Sequence, residues 1–321
     1  MAKRIDIVVP ALNEEATLEA FHRELSRVLD ALPHSFRVLF IDDGSTDHTA
    51  RLCVNIKARD PRVGFFRFSR NFGQQAAISA GLDWSDADAV ITMDADLQNP
   101  PEVIPLLIAA WEQGAEVVHA VRENGAQGNA IKAWTSRSFY TVLGKIAEVH
   151  LEHNAADFRL IDAKVVRAVR RLEERNRFLR GLYSWVGFKH TSVTYRHPVR
   201  TAGASKYGLR RMVALALVAM VSLTRLPLHL ATLVGGLLAA VGLCSLVYLG
   251  ALTIFSHKAG DATAIAALIL FVGGLQIGFL GILGEYIGQL LGEAKRRPIY
   301  IIAEAAPPAE PEEEAAAPFQ Q

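Results

Sequence analysis

Short apolar runs alternate with amphipathic stretches along the first 160 residues of the chain. Runs of strand length lie at residues 5–10, 36–41, 63–68, 89–93 and 115–121. Stretches with apolar residues at helical spacing lie between them, at residues 14–31, 46–58, 74–82 and 101–113. Nearly continuous apolar strands separated by helices are typical of a mainly parallel sheet that is covered on both faces. The pattern therefore predicts an α/β domain over residues 1–160.

Polar residues follow the predicted strands at the point where each strand ends. They are Asn13 and Glu14, Asp42 and Asp43, Arg70, Asp94 and Asp96, and Arg122. Open α/β sheets bind ligands in the crevice at the carboxyl ends of their strands, so these residues predict a crevice in which a nucleotide would lie. The first turn lacks the G-x-G-x-x-G pattern, which disfavours a dinucleotide site of the Rossmann type.

Asp94 and Asp96 are the most informative pair among these residues. They end the fourth apolar run and are separated by one residue, so strand geometry would point both side chains the same way. Two hard oxygen ligands side by side suit Mg²⁺ or Mn²⁺ that carries a substrate's phosphates. Such a metal would offset the charge that develops on a departing nucleotide. The alternative is a solvated acidic turn before the Pro100-Pro101 break.

Two long uncharged runs follow the α/β domain. Residues 228–255 and 262–284 contain no Asp, Glu, Lys or Arg. Because a bilayer-spanning helix needs ~20 mostly apolar residues, both runs predict transmembrane helices, joined by residues 256–261 in a hairpin. Lys and Arg flank the hairpin on its outer sides, which predicts an inner-membrane protein with the α/β domain and both termini in the cytoplasm. Buried core helices of a soluble protein are the alternative, and the glycine-rich faces would suit a homo-oligomer.

The segments on either side of the hairpin differ in composition. Residues 161–226 interleave Arg with apolar residues at helical spacing, which predicts an acceptor-side segment and interfacial helices at the membrane surface. Ordinary amphipathic helices packed on the domain are the alternative. The hairpin occupies residues 227–290, and residues 291–321 form a cytoplasmic tail. From about residue 303 this tail is mostly Ala, Pro and Glu, which predicts disorder.

Charge and cysteine content narrow the class further. The formal net charge is +1, so no affinity for a polyanion is indicated and no nucleic-acid partner is expected. The two cysteines, Cys53 and Cys244, do not suggest a disulfide framework, in agreement with a cytosolic domain. The N-terminus enters a strand without an apolar signal segment, which also agrees with that location.

The sequence resembles the polyprenyl-phosphate glycosyltransferases of glycosyltransferase family 2, which include dolichol-phosphate mannose synthases and the bacterial two-span enzymes that charge undecaprenyl phosphate with a sugar. The resemblance covers about residues 4–300 and rests on seven motifs in order. They are Val-Val-Pro10-Ala-Leu-Asn13-Glu14-Glu15, Asp42-Asp43-Gly-Ser-Thr-Asp47, Ser69-Arg70-Asn71-Phe-Gly73, Met-Asp94-Ala-Asp96-Leu-Gln98-Asn-Pro-Pro, Asp157-Phe-Arg159-Leu, Arg177-Phe-Leu-Arg180-Gly and Gly203-Ala-Ser205-Lys206-Tyr207.

The resemblance implies a GT-A domain that transfers a hexose, with inversion, from a UDP-sugar to undecaprenyl phosphate at the inner leaflet. Glucose is the favoured sugar. The nucleotide-sugar side would hold Pro10, Asn13, Glu14, Asp42, Asp43, Arg70 and Asp94. The protein ligands of Mg²⁺ or Mn²⁺ would be Asp94, Asp96 and Gln98. The acceptor phosphate and diphosphate side would hold Arg122, Arg137, Arg177, Arg180, Ser205 and Lys206.

Some of these assignments have structural alternatives. Asp42 or Asp43 could cap the following helix, and Arg177 could be a surface cation. Asp157 takes the position of the family's proposed catalytic base. A phosphate monoester has a second pKa of about 6, so the acceptor is already mostly anionic and Asp157 could instead orient it or stabilise positive charge at the anomeric carbon.

Other functions are less well supported. A processive polysaccharide synthase would use a Gln-x-x-Arg-Trp motif and more spans, and the sequence has neither. The same lipid acceptor with another donor sugar, such as an aminopentose, an N-acetylhexosamine or mannose, is a closer alternative. A non-catalytic membrane scaffold would require loss of the Asp94 and Asp96 pair. The lipid-linked product would feed cell-envelope polysaccharide modification through a separate flippase and a downstream transferase.

Overall fold

The computed structural model describes residues 2–122, 155–175, 177–195 and 262–309, with scattered helical positions between Leu228 and Cys244. The chain divides into two compact units. One comprises Met1–Ala204 together with Pro298–Gln321, and the other comprises Ser205–Arg297.

The first unit is built on an eight-stranded sheet. Its strands are β1 (Arg4–Ala11), β2 (Ser35–Asp42), β3 (Val63–Phe68), β4 (Ala89–Thr92), β5 (Val117–Arg122), β6 (Ala155–Asp162), β7 (His190–Tyr195) and β8 (Ile302–Ala306). Its helices are α1 (Leu18–Leu29), α2 (Thr49–Arg59), α3 (Gln74–Trp84), α4 (Ile104–Glu112), α5 (Ala163–Arg170) and α6 (Leu179–Trp185), with a 3-10 turn at Pro101–Val103.

The strand order is β7-β5-β6-β4-β1-β2-β3-β8. Strand β1 pairs in parallel with β2 and β4, and β2 pairs in parallel with β3. The register of β1 on β2 ends at Ala11 opposite Asp42, so the turns that follow these strands meet at one edge. Strand β6 is antiparallel to both β4 and β5, and β8 is antiparallel to β3. The predicted α/β fold with a mainly parallel, GT-A-like sheet is confirmed.

Both faces of the sheet are buried, which explains why its strands read as continuous apolar runs. Along β1, Ile5, Ile7 and Val9 join one core cluster, whereas Val8 joins the cluster on the other face. The predicted helix at residues 14–31 begins only at Leu18, because the Glu14 carbonyl first accepts the Thr17 and Leu18 amides in a turn.

Helices α5 and α6 pack on this sheet through their apolar faces. Val165, Val166, Leu179 and Leu182 are buried in the second core cluster. Between residues 163 and 185 the structure therefore corrects the prediction of interfacial helices with apolar faces in the lipid headgroups, although Trp185 stays 66% exposed. The predicted domain boundary at residue 160 lies inside β6, because this strand completes the sheet between β4 and β5.

Strand β8 corrects the prediction of disorder for residues 303–309, and the rest of the tail, residues 310–321, lies outside the described residues. Ile302–Ala306 has few large apolar side chains, but it pairs along the backbone of β3. Backbone pairing depends little on side-chain composition, and it satisfies the hydrogen-bonding groups that an edge strand leaves open. Composition alone therefore gave no signal for this strand.

The second unit contains the long helix α7 (Ala262–Ala294). A side-chain atom of Phe279 lies 3.7 Å from the position that a Cβ on Gly235 would take, so the two predicted spans contact each other at that point. Among the residues that the structure describes, no helix satisfies the length and hydropathy required to cross a membrane.

Candidate active site

The turns that follow β1 and β2 are joined by hydrogen bonds. Asn13, at φ 56°, donates its amide to the Ser45 hydroxyl at 3.0 Å, and its side-chain oxygen accepts the Thr46 amide at 2.9 Å. The Ser45 amide donates to Asp42 Oδ1 at 2.8 Å. The other oxygen, Oδ2, is buried and lies 3.3 Å from the Arg67 guanidinium. This part of the crevice is therefore preorganised and carries a fully buried carboxylate.

Asp43 organises the neighbouring loop. The Phe72 amide donates to it at 2.6 Å and the Gly73 amide at 2.9 Å, which places the carboxylate at the start of α3. Burial raises the pKa of Asp43, and these backbone hydrogen bonds act in the opposite direction. Asp43 thus fixes the loop that leads into α3, and it does not cap the following helix α2, as the alternative proposed. Gly44, at φ 73°, permits this approach, since a Cβ there would lie 2.5 Å from the Arg70 carbonyl carbon.

Glu14 and Pro10 complete the nucleotide-side set at the end of β1. The Glu14 amide donates to the Thr49 hydroxyl at 2.8 Å, and its carboxylate accepts the Thr17 hydroxyl at 2.6 Å. Pro10 is partly buried near the end of the strand. Arg70 is exposed on the loop after β3 and lies over the Phe72 ring at 3.9 Å. The structure thus brings the predicted nucleotide-side residues to one edge of the sheet.

Asp94 lies at the same edge, just beyond β4. The Gln74 side-chain amide donates to one of its oxygens at 2.7 Å, and that of Asn99 donates to the other at 3.4 Å. Burial raises the pKa of Asp94 to about 6, and the charges of Asp157 and Asp96 act in the same direction. Asp94 is therefore a buried carboxyl group with two further carboxylates close enough to act on its pKa.

The turn after Asp94 presents the second carboxylate. The Gln98 amide donates to Asp96 Oδ1 at 3.0 Å, and Leu97 between them has φ 56°. Across the part of the chain that the structure describes, no cluster of three or more His, Cys, Asp or Glu forms a metal site by itself. The carboxylates of Asp94 and Asp96 and the side-chain oxygen of Gln98 would be an incomplete set of hard oxygen ligands, which suits a divalent cation whose remaining ligands come from phosphates and water.

Asp157 is held by two arginines. Arg180 donates from Nε at 2.8 Å to one carboxylate oxygen and from its terminal nitrogen at 3.1 Å to the other. Arg159 donates to the first oxygen at 3.1 Å, and the Gln75 side chain lies 3.5 Å from the second. Asp157 is 8% exposed and Arg159 is 2% exposed. This ion-pair group lies next to Asp94, whose pKa both Asp157 and Arg180 influence.

The electrostatics of Asp157 oppose those of Asp94. Burial alone would raise the pKa of Asp157, but the hydrogen bonds and charge of Arg180, with the charge of Arg159, lower it below the usual range. A carboxylate with this environment is a weak proton acceptor. Its geometry instead orients the Arg180 guanidinium, whose side chain is 35% exposed.

Arg177 does not join this group. Its guanidinium donates to the Leu172 carbonyl at 3.1 Å and lies 3.7 Å from Asp83, near the C-terminal end of α3. Gln74 and Gln75, which contact the candidate site, lie at the other end of that helix. Arg177 is mostly buried, so it is also not the surface cation that the alternative describes.

The remaining acceptor-side predictions are only partly covered by the structure. Arg122 ends β5, but its side chain lies outside the described residues. Arg137, Ser205 and Lys206 also lie outside them. Their assignment to the acceptor phosphate stays a prediction.

Sequence reasoning missed four residues that contact Asp94 or Asp157. Asn99 lies in the loop after Asp94, Gln74 and Gln75 belong to the first turn of α3, and Arg159 follows Asp157 on the same face of β6. The spacing of Arg159 from Asp157 was a usable signal, because residues i and i+2 of a strand share a face. The glutamines gave none, since their contacts depend on how α3 packs beside β4.

The fold and the site define a class of α/β enzyme with an acidic crevice at the carboxyl edge of a mainly parallel sheet. Residues 6–170 match the family model for glycosyl transferase family 2, and residues 226–290 match that for the GtrB C-terminal hairpin. The chain belongs to glycosyltransferase family 2 and is a glycosyltransferase.

Relatives match across nearly the whole chain. The uncharacterized glycosyltransferase YkcC of Bacillus subtilis is 39% identical over 92% of each chain. The bactoprenol glucosyl transferase of Shigella phage SfV and the prophage bactoprenol glucosyl transferase homolog of Escherichia coli K12 are each 37% identical, over 93% of this chain and 98% of theirs. A glucosyl-3-phosphoglycerate synthase structure from Mycobacterium tuberculosis, with UDP, matches at TM-score 0.48 and 19% identity, covering 69% of this chain and 79% of that one.

Proposed function

We propose that this enzyme transfers a hexose, with glucose favoured, from a UDP-sugar to undecaprenyl phosphate at the cytoplasmic leaflet. The observation that carries the proposal is the 37% identity to bactoprenol glucosyl transferases over 93% of the chain. That span includes both the α/β unit and the segment that matches the hairpin family. Similarity over the catalytic domain alone would not favour a lipid acceptor.

The donor would occupy the crevice between the turns after β1, β2 and β4. Asp42 and the loop held by Asp43 would bind the nucleoside, since buried acceptors there suit its donors. Asp94, Asp96 and Gln98 would hold Mg²⁺ or Mn²⁺ against the diphosphate. When bound, the cation supplies charge neutralisation for the leaving UDP. After burial, the charges of Asp157 and Asp96 also raise the pKa of Asp94, which supports this role because a divalent cation would relieve their repulsion.

The acceptor side would use the arginines. A phosphate oxygen of the lipid would attack the anomeric carbon from the face opposite UDP, the bond from that carbon to the UDP oxygen would break, and the product would have inverted configuration. Arg180, oriented by Asp157, is suited to receive the phosphate together with Arg122 and Arg137. The lowered pKa of Asp157 favours an orienting role, and the anionic phosphate needs no proton removed.

The membrane location is part of the proposal. The uncharged runs 228–255 and 262–284, the match to the hairpin family at 226–290 and the contact between Gly235 and Phe279 support a two-helix hairpin. The flanking Lys and Arg support a cytoplasmic catalytic unit. Such an orientation would put the site beside the leaflet that holds its acceptor. Export of the product would require a separate flippase and a downstream transferase.

The test is an incubation of the full-length protein with undecaprenyl phosphate and single UDP-sugars, read by the mass of the lipid product. We expect a hexosyl monophosphate lipid from UDP-glucose, and none after chelation of divalent metal or in Asp96→Ala. A product only from a UDP-aminopentose or UDP-N-acetylhexosamine would keep the acceptor and replace the sugar. No product from any donor, with UDP bound normally, would favour the scaffold alternative.

A further inference from the structure

We propose that the C-terminal strap, residues 300–309, positions the donor-side loop at residues 69–73, with Tyr300 as the positioning residue. This inference rests on the proposed function, in which that loop borders the nucleotide. The strap and the loop belong to the same compact unit. The role of the acidic crevice does not account for the strap.

The strap follows β3 along its whole length. Within β8, Ala306 pairs with Phe65 and Ile302 with Phe68, and the Ser69 amide donates to the Ile301 carbonyl at 2.9 Å. Beyond β8, Lys57 donates to the Pro307 carbonyl at 2.5 Å and the Ala309 amide donates to Pro61 at 3.0 Å. Pro308 packs so closely over Gly64 that a Cβ there would lie 2.6 Å from its ring. The strap is therefore fixed at both ends.

An aromatic column connects the strap to the loop. The Tyr300 ring stacks on Phe68 at 5.1 Å with an angle of 10°, and Phe68 meets Phe72 edge-on at 5.7 Å. The Arg70 guanidinium lies over the last ring of the column, with its central carbon 3.9 Å from the centre of the Phe72 ring. The Phe72 amide in turn donates to Asp43. Tyr300 is therefore connected to a residue of the crevice through contacts of the Phe68 and Phe72 rings.

Tyr300 also contacts the far end of α3. Its hydroxyl donates to Asp83 at 3.1 Å, and Asp83 also pairs with Arg177. Burial and the charge of Asp83 raise the pKa of Tyr300 to about 12, so the hydroxyl keeps its proton at neutral pH. One side chain thus touches the strand before α3 and the end of α3, and the first turn of this helix contacts Asp94 through Gln74.

Tyr300 lies six residues after the last residue of α7, Ala294. The strap is therefore the covalent continuation of the hairpin segment into the donor side of the catalytic unit. Loss of the Tyr300 ring should loosen the loop that binds the nucleotide and leave the acceptor arginines in place. The expected signature is a change in donor affinity without a change in acceptor affinity.

The experiment uses the full chain in detergent or vesicles and measures UDP affinity by calorimetry and the KM of each substrate. Tyr300→Ala removes the stacking that stabilises the loop, and loss of an aromatic pair should weaken UDP binding and raise the donor KM by about two- to tenfold. Tyr300→Phe should restore most of the affinity, and Tyr300→Leu, which keeps much of the volume, should not. The acceptor KM should be unchanged. The matched control is Ile302→Ala, a half-exposed position in the same strap, which should behave as wild type.

The outcomes separate this inference from the proposed function. If wild type binds no UDP, the proposed function fails. If wild type binds UDP and folded Tyr300→Ala and Tyr300→Leu bind it equally well, the positioning role of the strap is refuted and the proposed function stands. Equal increases in both KM values would also refute it, because they would indicate a general loss of structure.

Discussion

Replacement of Asp157 by Asn tests whether this residue orients Arg180 or accepts a proton. Asn has nearly the same shape and keeps one acceptor oxygen, but it removes the charge that holds two guanidinium groups. In the native protein Arg180 makes two hydrogen bonds to this carboxylate, at 2.8 and 3.1 Å, and Arg159 makes a third at 3.1 Å. The substitution therefore perturbs both the fold and the site.

The cost to the fold follows from the burial of Arg159, which is 2% exposed. Removing one partner of a buried ion pair costs about 3–5 kcal/mol, and the amide oxygen of Asn should recover part of that. We expect the free energy of unfolding to fall by about 1.5–3 kcal/mol, the value of a hydrogen bond to a charged group. The free energy of unfolding of a native domain is about 5–15 kcal/mol, so the variant should stay folded at 25 °C.

The stability difference should depend on pH. The pKa of Asp157 is lowered in the folded protein, so its negative charge stabilises the fold at any pH above the ordinary carboxyl pKa of about 4. That contribution is lost as the pH falls through the lowered pKa. Denaturant unfolding of wild type and Asp157→Asn should therefore differ at pH 7 and converge in acid.

The cost to activity is measured as turnover with UDP-glucose and undecaprenyl phosphate. Loss of the charge-assisted contacts that orient Arg180 should reduce turnover by about 10- to 100-fold. UDP affinity should change little, because the contacts of Asp42 and Asp43 are untouched. The acid limb of the pH–rate profile should remain in the variant if it reports the lipid phosphate.

The control is Asp60→Asn. Asp60 is also buried and accepts two hydrogen bonds from the Arg62 guanidinium, at 3.0 and 2.9 Å, without contact to the candidate site. It should lose stability and keep full turnover. Full turnover in Asp157→Asn would refute the orienting role, and loss of the acid limb only in that variant would indicate that Asp157 does accept a proton.

Three further outcomes are expected. The pKa of Asp94 is raised to about 6, so below that pH a cation must compete with a proton for this carboxylate. The Mn²⁺ affinity measured by calorimetry should therefore fall steeply below pH 6, and pH-independent binding would contradict the assignment. Gly44→Ala should lower the melting temperature and the UDP affinity together, because φ is 73° and the new Cβ would lie 2.5 Å from the Arg70 carbonyl carbon. The left-handed backbone alone costs an L-residue about 1–2 kcal/mol. An unchanged melting temperature would refute this account. In intact cells an impermeant thiol reagent should label Ser256→Cys but not Glu24→Cys, and the reverse pattern would overturn the proposed orientation.

The local sequence determined most of the α/β domain. Apolar runs predicted the first five strands, and the run at Val63–Phe68 coincides with β3. Parallel strands have their carboxyl ends at the same edge of a sheet, so Asp42, Asp43 and Asp94 could be assigned to one edge without a structure. Periodicity succeeds here because each element is a few residues long and buries its own apolar face.

Long-range pairing decided the rest. Strand β6 enters antiparallel between β4 and β5, which sets Asp157 beside Asp94 although they are far apart in the sequence. Two arginines three positions apart have different surroundings, since Arg180 reaches Asp157 and Arg177 reaches Asp83. Strand β8 has no compositional signal because its stability comes from backbone pairing to β3. Such contacts depend on which surfaces remain open after the first elements have packed, and the periodicity of a single segment does not contain that information.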